Sequence, residues 1–463
     1  MSELHIRAKT TAEKALDINL DQLYYGTFAE IGAGQEVARQ FFQAGKASQT
    51  VALSISAYDM TYSDIIYGKE KSGRYVCLPR LDKMLDREFA KLQERLGPSR
   101  ADSTCFFSFA DTVATGTSKG GNTCHGWMGV KFQAAPGGEP QVVKLHVRML
   151  DRYRLQQQEN LGRLGVNLLH SCFYKRKSPT EFLAGLFDHI RAESLTVDAV
   201  YFSGSEFKKF DEIIFNLMLV DRGFSQACLV DQTGRVQNPQ DYLWNKSVLI
   251  QRGVFNPVTN THLEILQNAG EQFRKEFSIK SHDQLAMFEF LIDNKIKKTQ
   301  LPIELAAARI RMISQLQIPV LVSKFSLFYQ LKQYVRNSTK APMAIVIGAG
   351  QLEKVFDESY YSDLQGGLLE GMAKLLGKYS RLYVYPHFEG AEPQRATNFS
   401  PAPHLRHVFS HFLENKFICD LKGCDNLNTM VRSDDVLKLI RKKDKSWKHH
   451  VPEKIHKFIE SQF

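Results

Sequence analysis

The sequence predicts an α/β protein whose C-terminal half folds around a mostly parallel, doubly wound sheet. Short apolar runs alternate with amphipathic stretches from residue 247 onward, and two of these runs lead directly into a glycine, at Gly253 and Gly348. Such alternation is typical of parallel sheets with helices on both faces. Ligands of these sheets bind at the carboxyl ends of the strands, which is where both glycines fall.

Composition places the chain among globular proteins. Its 463 residues suffice for two or three domains, with 43% hydrophobic and 24% charged residues. No run of 18 apolar residues occurs, and the N-terminal segment lacks an apolar core of the kind found in signal peptides. The seven cysteines are dispersed, which favours reduced thiols over a disulfide framework or a zinc site. We therefore expect a cytoplasmic protein without a membrane partner.

A boundary between two domains is predicted at residues 231–245, DQTGRVQNPQDYLWN, which are rich in turn formers and poor in aliphatic residues. We expect this segment to be a linker between an N-terminal domain, residues 1–230, and a C-terminal domain, residues 246–463.

The C-terminal elements follow from apolar periodicity. Strands are predicted at 247–251, 286–292, 318–323, 344–350 and 382–386, and helices at 261–276, 302–316, 324–335 and 404–416. An apolar stripe after Pro452 predicts a last helix that docks on a core.

The N-terminal half is mixed, and its pattern fits either an α/β or an α+β domain. Strands are predicted at 51–58, 105–111, 127–133 and 141–150, a helix at 81–97 ended by Gly97, and a strand–helix–strand unit at 198–204, 206–223 and 225–230. No motif in this half is specific enough to assign a function.

The segment 252-RGVFNPVTNTHLEIL-266 is the strongest candidate for a binding site. A glycine after a strand lets the backbone approach a ligand, and the N-terminus of the following helix favours a phosphate. Transfer of a nucleotidyl group to a phosphate nucleophile needs alignment and charge stabilisation rather than a general base, because the nucleophile is already an anion.

This segment resembles the Gly-x-Phe-(Asp/Asn)-Pro-x-His-x-Gly-His motif of the nicotinate/nicotinamide-nucleotide adenylyltransferases, in the nucleotidyltransferase superfamily. The matching positions are Gly253, Phe255, Asn256, Pro257 and His262, whereas Thr259 and Thr261 replace the first histidine and the second glycine. Two later segments also resemble this family. Gly348 lies in an apolar strand followed by Gly350 at an aspartate position, and Ser433 matches a phosphate loop in which Leu437 replaces an arginine and Lys438 stands beside it.

The resemblance covers about the last 215 residues and implies a Rossmann-like domain that transfers an adenylyl group from ATP to a mononucleotide, with Mg²⁺ bridging the phosphates. His262 and Lys438 would then act in catalysis. The expected nucleotide-binding residues are Gly253, Phe255, Asn256, Pro257, Thr259, Gly348 and Ser433, and no metal-ligating side chains are predicted.

Other interpretations remain open. The motif can be a strand–turn–helix junction in which Thr259 or Asn260 caps the helix. The domain can be a catalytically degenerate transferase that senses nucleotide or serves assembly, including homo-oligomer formation. The formal net charge of +10 and the basic stretch 438–450, with Trp447 available to stack, suggest nucleic acid or the ribosome as a partner.

Two N-terminal segments invite a functional interpretation. Residues 28–42 contain a two-glycine turn similar to a cofactor loop, although the pattern favours an ordinary strand-to-helix turn. Residues 116–129 are rich in glycine and place Cys124 next to His125. Adjacent residues of a strand point to opposite faces, so we do not expect these two side chains to form a nucleophile–base pair.

Overall fold

The chain divides into two compact units, Met1–Gln226 and Ala227–Phe463. The computed structural model describes residues 7–32, 34–114, 124–294, 299–388, 392–424 and 431–462. Both units have mixed α/β architecture, each built on its own sheet. No helix among the described residues is both long enough and apolar enough to span a bilayer.

The N-terminal unit contains six strands and seven α-helices within the described ranges. The strands are β1 (Tyr24–Gly32), β2 (Val51–Ala57), β3 (Cys105–Ala114), β4 (His125–Gln133), β5 (Pro140–Met149) and β6 (Leu195–Ser203). The helices are α1 (Thr11–Leu20), α2 (Val37–Ala44), α3 (Met60–Tyr67), α4 (Leu78–Arg100), α5 (Arg154–Tyr174), α6 (Pro179–Leu186) and α7 (Glu212–Asp221).

The strands of this unit lie in the order β2-β1-β3-β4-β5-β6. β1 is parallel to both β2 and β3, whereas the pairs from β3 to β6 are antiparallel. One face packs mainly on α1, α2, α5 and α6, and the other face packs on α3 and α4. Apolar residues alternate between these two faces along each strand, which explains why the strands could be recognised from the sequence.

The C-terminal unit contains the remaining elements. Its strands are β7 (Ala227–Val230), β8 (Val236–Gln237), β9 (Ser247–Arg252), β10 (Gln284–Leu291), β11 (Asp293–Asn294), β12 (Thr299–Gln300), β13 (Val320–Ser323), β14 (Met343–Gly348), β15 (Ser380–Tyr385) and β16 (Ile418–Asp420). Its helices are α8 (Pro239–Tyr242), α9 (Asn260–Phe277), α10 (Ile303–Ser314), α11 (Phe328–Arg336), α12 (Leu352–Val355), α13 (Gly367–Leu375), α14 (Arg406–Glu414), α15 (Ser433–Arg441) and α16 (His456–Gln462).

The main sheet of this unit has the order β16-β15-β14-β9-β10-β13-β7-β8 and is parallel from β16 to β13. The chain runs from β9 outward through β10 to β13 and then returns to β14 on the other side of β9. The sheet therefore has a topological switch point between β9 and β14, which is where doubly wound sheets bind ligands. The prediction of a Rossmann-like, doubly wound domain is confirmed.

The boundary between the units differs from the sequence-based one. The structure divides the chain after Gln226, because β7 pairs antiparallel with β13 in the C-terminal sheet. Residues 231–245, predicted to be a linker, contain β8 and α8, and the Asp231 carboxylate accepts the backbone N–H groups of Thr233 and Arg235 at 2.8 and 3.1 Å. The turn-forming residues of this segment form the short turn between β7 and β8 and the start of α8, all within the C-terminal unit.

The prediction that Gly97 ends α4 is wrong. The helix continues to Arg100, and the backbone N–H of Ala101 closes its last turn on the carbonyl oxygen of Gly97 at 3.1 Å. Glycine does not terminate a helix where its own backbone stays right-handed, and Pro98 lies so close to the end that few helical hydrogen bonds are lost.

Candidate nucleotide site

A cavity of about 570 Å³ lies in the C-terminal unit at the carboxyl ends of β9 and β10. Among the residues predicted from the sequence, Gly253, Thr259, His262 and Ser433 line this cavity. Phe255, Asn256, Pro257, Gly348 and Lys438 are not among its lining residues. The candidate motif thus borders the cavity at Gly253 and at the start of α9, whereas Phe255, Asn256 and Pro257 lie outside the cavity wall.

A buried ion pair forms part of the wall at the strand ends. Arg252 closes β9, and its Nε and Nη2 donate to the two carboxylate oxygens of Glu289 on β10, at 2.5 and 3.0 Å. The hydroxyl of Ser323 donates to the same carboxylate at 2.5 Å, and the Arg252 guanidinium lies 4.6 Å from the centre of the Phe328 ring. Because Glu289 is fully buried, this bidentate pair fixes the geometry where β9 and β10 end.

The packing of the Phe255 ring explains why the motif has a glycine at position 253. The residue has a φ of 49°, is fully buried, and stacks on Phe288 with 4.1 Å between ring centres. A Cβ on Gly253 would lie 2.8 Å from the Phe255 ring. Glycine is therefore required here by the protein's own packing, whatever ligand approaches the turn.

Thr259 and His262 cap the start of α9. The Thr259 hydroxyl accepts the backbone N–H of His262, and the backbone N–H of Thr259 donates to Nδ1 of His262 at 2.9 Å. The interpretation of Thr259 as a helix cap is confirmed. Since its hydroxyl also lies 2.9 Å from Nδ1 of His262, the polar groups of Thr259 are used within the cap.

This arrangement sets the chemistry of His262. Because Nδ1 accepts a hydrogen bond, the proton of the neutral ring is on Nε2. Burial lowers the pKa of His262 to about 4, so the imidazole is uncharged at neutral pH. His262 can offer a phosphate a neutral N–H donor rather than a positive charge.

Ser433 connects the C-terminal segment to the motif. Its hydroxyl donates to the carbonyl oxygen of Pro257 at 2.9 Å, and the side-chain amide of Asn260 donates to the carbonyl oxygen of His449 at 3.1 Å. The peptide bond between Asn256 and Pro257 is cis. These hydrogen bonds hold α15 and the segment after it against the turn that precedes α9.

Lys438 lies away from the cavity. Its ammonium group pairs with Asp435 one turn earlier on α15, at 2.9 Å, and its side chain is 69% exposed. Arg432, directly before α15, lines the cavity, whereas Lys438 does not. Nη2 of Arg432 donates to Nε2 of His387 at 2.9 Å. Helical periodicity explains the difference, because position 438 falls on the solvent face of α15.

Two further cations of the cavity were not predicted. Arg309 on α10 lies 5.1 Å from the centre of the Phe290 ring, and burial lowers the pKa of its guanidinium to about 10. Its Nε is buried without a hydrogen-bond partner among the described residues. Lys354 on α12 also lines the cavity. Arg309 could have been noticed in the sequence, because it shares the apolar face of its helix with Ala306 and Ile313.

Aromatic and apolar side chains complete the wall. They are Phe290, Ile292, Leu301, Phe328, Tyr360, Tyr361 and Tyr385. The ring of Tyr385 lies 3.0 Å from the position that a Cβ on Gly348 would take, so Gly348 makes room for this tyrosine at the end of β14. A cavity of this size with apolar walls and a few polar groups has the character of a small-molecule site.

Comparison with known proteins identifies part of the C-terminal unit. Residues 250–378 match the model of the family described as Cytidylyltransferase-like. The match begins inside β9 and extends just past α13, so it includes β9, α9, β10, α10, β13, α11 and β14. A comparison with curated proteins gives no match.

Solved structures show only a distant likeness, in the N-terminal part of the chain. The competence/damage inducible protein CihA from Agrobacterium tumefaciens is 18% identical, over 36% of this chain and 97% of that chain, with a TM-score of 0.25. A competence-damaged protein (CinA) superfamily protein from Enterobacter cloacae is 17% identical, over 37% of this chain and 98% of that chain, with a TM-score of 0.26.

The family match and the cavity fall on the same elements. Arg252, the first turn of α9 and Arg309 all lie within the matched residues and line the cavity. Residues 250–378 of the C-terminal unit are thus similar to the cytidylyltransferase-like family of the nucleotidyltransferase superfamily.

Proposed function

We propose that the C-terminal unit binds a nucleotide in this cavity, with the phosphates at the first turn of α9. One observation carries the proposal. The start of an 18-residue helix and positive side chains from three other segments, Arg309, Lys354 and Arg432, surround a single cavity of about 570 Å³. A helix N-terminus and guanidinium groups are the donors that proteins use to hold phosphate.

The reaction proposed for this site is adenylyl transfer from ATP to the phosphate of nicotinate or nicotinamide mononucleotide. Arg432 and Lys354 would hold the triphosphate, and Nε2–H of His262 would donate to a phosphate oxygen as charge develops on the leaving pyrophosphate. No general base is needed, because the attacking phosphate oxygen is already an anion. The Arg252–Glu289 pair would keep the ends of β9 and β10 in place during the reaction.

Mg²⁺ is the expected companion of ATP at such a site. This ion keeps several water ligands and binds through one or two carboxylates together with the substrate phosphates. The cavity fits this requirement, because the exposed carboxylate of Asp434 lies on its wall. Asp434 would hold the ion, which would neutralise phosphate charge.

Ligand-induced thermal stabilisation tests the binding proposal. We expect ATP with Mg²⁺ to raise the unfolding midpoint of the full chain, since a ligand at 100 times its Kd stabilises by about 2.7 kcal/mol. The variants Arg432→Ala and His262→Ala should lose most of this rise. Lys438→Ala is the matched control and should keep it, because its side chain lies outside the cavity. An equal rise in all four proteins would place the nucleotide elsewhere.

Product formation separates transfer from binding. If the unit is a transferase, incubation with ATP and either mononucleotide should yield NAD or its deamido form, and His262→Ala should lower turnover roughly 10²–10³-fold. Binding without product would favour the second candidate, a degenerate transferase that senses nucleotide or supports assembly. The cap geometry favours this candidate, because the polar groups of Thr259 are used within the protein.

A nucleic-acid partner is less favoured by the structure. Trp447, expected to stack on a base, is only 6% exposed and packs edge-on against His456, with 5.1 Å between ring centres. The basic stretch 438–450 forms part of α15 and a short 3₁₀ helix, Lys445–His450. Any binding of RNA here would rest on exposed lysines and should weaken steeply with added salt.

A further inference from the structure

The adjacent residues Cys124 and His125 are both engaged by other side chains of the N-terminal unit. The Cys124 sulfur accepts from the side-chain amide of Gln157 at 3.4 Å, and Nδ1 of His125 lies 2.9 Å from Nε2 of His146. The expectation that Cys124 and His125 do not form a nucleophile–base pair agrees with these contacts. Residues 116–123 of the same glycine-rich segment lie outside the described residues. Polar groups without such partners line the C-terminal cavity.

The C-terminal cavity has two sides, because β14 and β10 flank β9 on opposite edges. Lys354 and Arg432 follow β14 and β16 in the chain, whereas Phe290 ends β10 and Arg309 lies between β10 and β13. The start of α9 lies between the two sides. Doubly wound sheets bind dinucleotides across such a crevice, with the pyrophosphate at the helix N-terminus. A triphosphate held by Lys354 and Arg432 therefore leaves the side of Arg309, the acceptor side, for the second substrate.

Two polar groups on the acceptor side lack a partner within the protein. Nε of Arg309 is shielded from solvent without a hydrogen bond, and no carboxylate among the described residues pairs with this guanidinium. In the same part of the chain, Oγ of Ser326, which follows β13, is buried without a hydrogen-bond partner. Both residues line the cavity. Because a shielded cation without a counter-charge is costly, these two groups fit an anionic part of a ligand.

The arginine at the end of β9 is already neutralised. Arg252 donates to both carboxylate oxygens of Glu289, which also accepts from the Ser323 hydroxyl. Burial lowers the pKa of Arg309 to about 10, so its guanidinium is still protonated at neutral pH. Arg309 therefore brings uncompensated positive charge to the acceptor side.

The apolar surroundings of Arg309 favour a carboxylate carried on an aromatic ring. The guanidinium lies 5.1 Å from the centre of the Phe290 ring, and Ile292 and Leu301 line the same part of the cavity. A planar carboxylate can accept from Arg309 and from the Ser326 hydroxyl while its ring packs against these apolar side chains. A carboxamide is uncharged, and its NH₂ group would face the N–H donors of the guanidinium.

We infer that Arg309 and Ser326 form a carboxylate subsite, which makes nicotinate rather than nicotinamide mononucleotide the acceptor. This inference rests on the proposed function, because it concerns the acceptor of the same cavity. Nε–H of Arg309 donates to one carboxylate oxygen, and the Ser326 hydroxyl donates to the other. No bond is made or broken at this subsite, so it determines which substrate binds and leaves the chemistry to the phosphates at the start of α9.

Calorimetric titration of the full-length protein with each mononucleotide tests the inference. We expect nicotinate mononucleotide to bind at least roughly tenfold more tightly than nicotinamide mononucleotide, because the carboxylate adds charge-assisted hydrogen bonds. Arg309→Met removes the charge but keeps an apolar chain beside Phe290, and should bring the two affinities within about twofold of each other. Ser326→Ala should reduce the preference by a smaller factor.

Arg311→Met is the matched control, because Arg311 lies on the same helix but is not among the residues that line the cavity. This variant should keep the wild-type preference for nicotinate mononucleotide. Its loss in Arg311→Met as well as in Arg309→Met would show a general effect of charge on this helix and would overturn the subsite.

Two further results would overturn the inference and leave the nucleotide proposal standing. The first is equal affinity of the wild-type protein for the two mononucleotides. The second is an equal loss of affinity for both in Arg309→Met, which would assign Arg309 to the phosphate that they share. If neither mononucleotide binds while ATP with Mg²⁺ still raises the unfolding midpoint, the acceptor assignment fails and ATP binding stands. Absence of the ATP shift as well would remove both proposals.

The unfolding midpoint without ligand gives a readout that needs no nucleotide. Because the guanidinium has no counter-charge among the described residues, we expect Arg309→Met to keep or raise this midpoint. A fall of several degrees would show that the guanidinium is already paired in the free protein, and would overturn the inference. The expected result also ensures that the affinities are compared on a folded variant.

Discussion

Glu30 and Asp111 form the most unusual charged pair of the N-terminal unit. They lie opposite each other on the parallel strands β1 and β3, and both are buried. The Glu30 carboxylate accepts the backbone N–H groups of Val37 and Ala38, at 2.7 and 3.2 Å, where α2 begins. Burial raises the pKa of Glu30 to about 7, and burial together with Glu30 raises the pKa of Asp111 well above its usual value.

These pKa shifts predict that stability falls as the pH rises. A carboxyl group whose pKa is higher in the folded state stabilises the fold below its unfolded pKa, and this contribution is lost as the pH rises through the folded pKa. For Glu30 this loss of unfolding free energy takes place between about pH 4.5 and 7 and reaches roughly 3 kcal/mol. Urea unfolding of the full chain at pH 5 and pH 8 measures this fall in unfolding free energy.

Asp111→Asn should flatten this pH dependence, because Asp111, whose pKa burial and Glu30 raise in the folded state, also lowers stability as the pH rises, whereas an amide does not titrate. We expect the variant to gain roughly 1–2 kcal/mol relative to wild type at pH 8 and little at pH 5. The exposed Asp102→Asn serves as control and should follow the wild-type curve. A wild-type protein that is equally stable at both pH values, and an Asp111→Asn variant parallel to it, would contradict the assignment.

At the scale of elements, α9 depends on two separable roles of Thr259. Thr259→Ala removes the hydroxyl that caps the helix and should cost about 1 kcal/mol of unfolding free energy. The backbone N–H of Thr259 still donates to His262, so the tautomer of this histidine is preserved. We therefore expect Thr259→Ala to lower the unfolding midpoint both with and without ATP and Mg²⁺. The difference between the two midpoints should stay the same as in the wild-type protein.

Thr259→Ser is the control for this prediction, since it restores the cap and should recover most of the lost stability. Should Thr259→Ala abolish the nucleotide shift while remaining folded, the hydroxyl would be a ligand contact and not only a cap. The same thermal-shift measurement, run beside His262→Ala, distinguishes the two roles.

The strands and helices that position the site could largely be predicted from the sequence. The apolar spacing of α9 and the run that becomes β9 are local patterns, and the motif between them is contiguous. That Arg309, Lys354 and Arg432 line one cavity could not be predicted in this way, because these residues lie far apart in the chain and meet only through the order of the strands. The sheet to which β7 belongs was missed for the same reason, since periodicity shows that a segment is a strand but not which strand it pairs with.

At the scale of the whole molecule, the position of β7 determines where the chain can be divided. All four residues of β7 are buried, and β7 pairs with β13 on one side and β8 on the other. A fragment of residues 227–463 keeps this strand, whereas a fragment that begins at residue 231 lacks it. Burial of Leu229 and Val230 alone contributes roughly 3 kcal/mol or more.

We expect the 227–463 fragment to fold and to retain its thermal shift with ATP and Mg²⁺, because the cavity lies entirely within it. The 231–463 fragment should unfold at a clearly lower temperature, since β13 and β8 lose the strand between them and apolar side chains become exposed. Circular dichroism melts of both fragments measure the difference. Equal midpoints would show that β7 contributes little to the C-terminal core. The boundary between the two units would then lie at the turn-rich segment of residues 231–245.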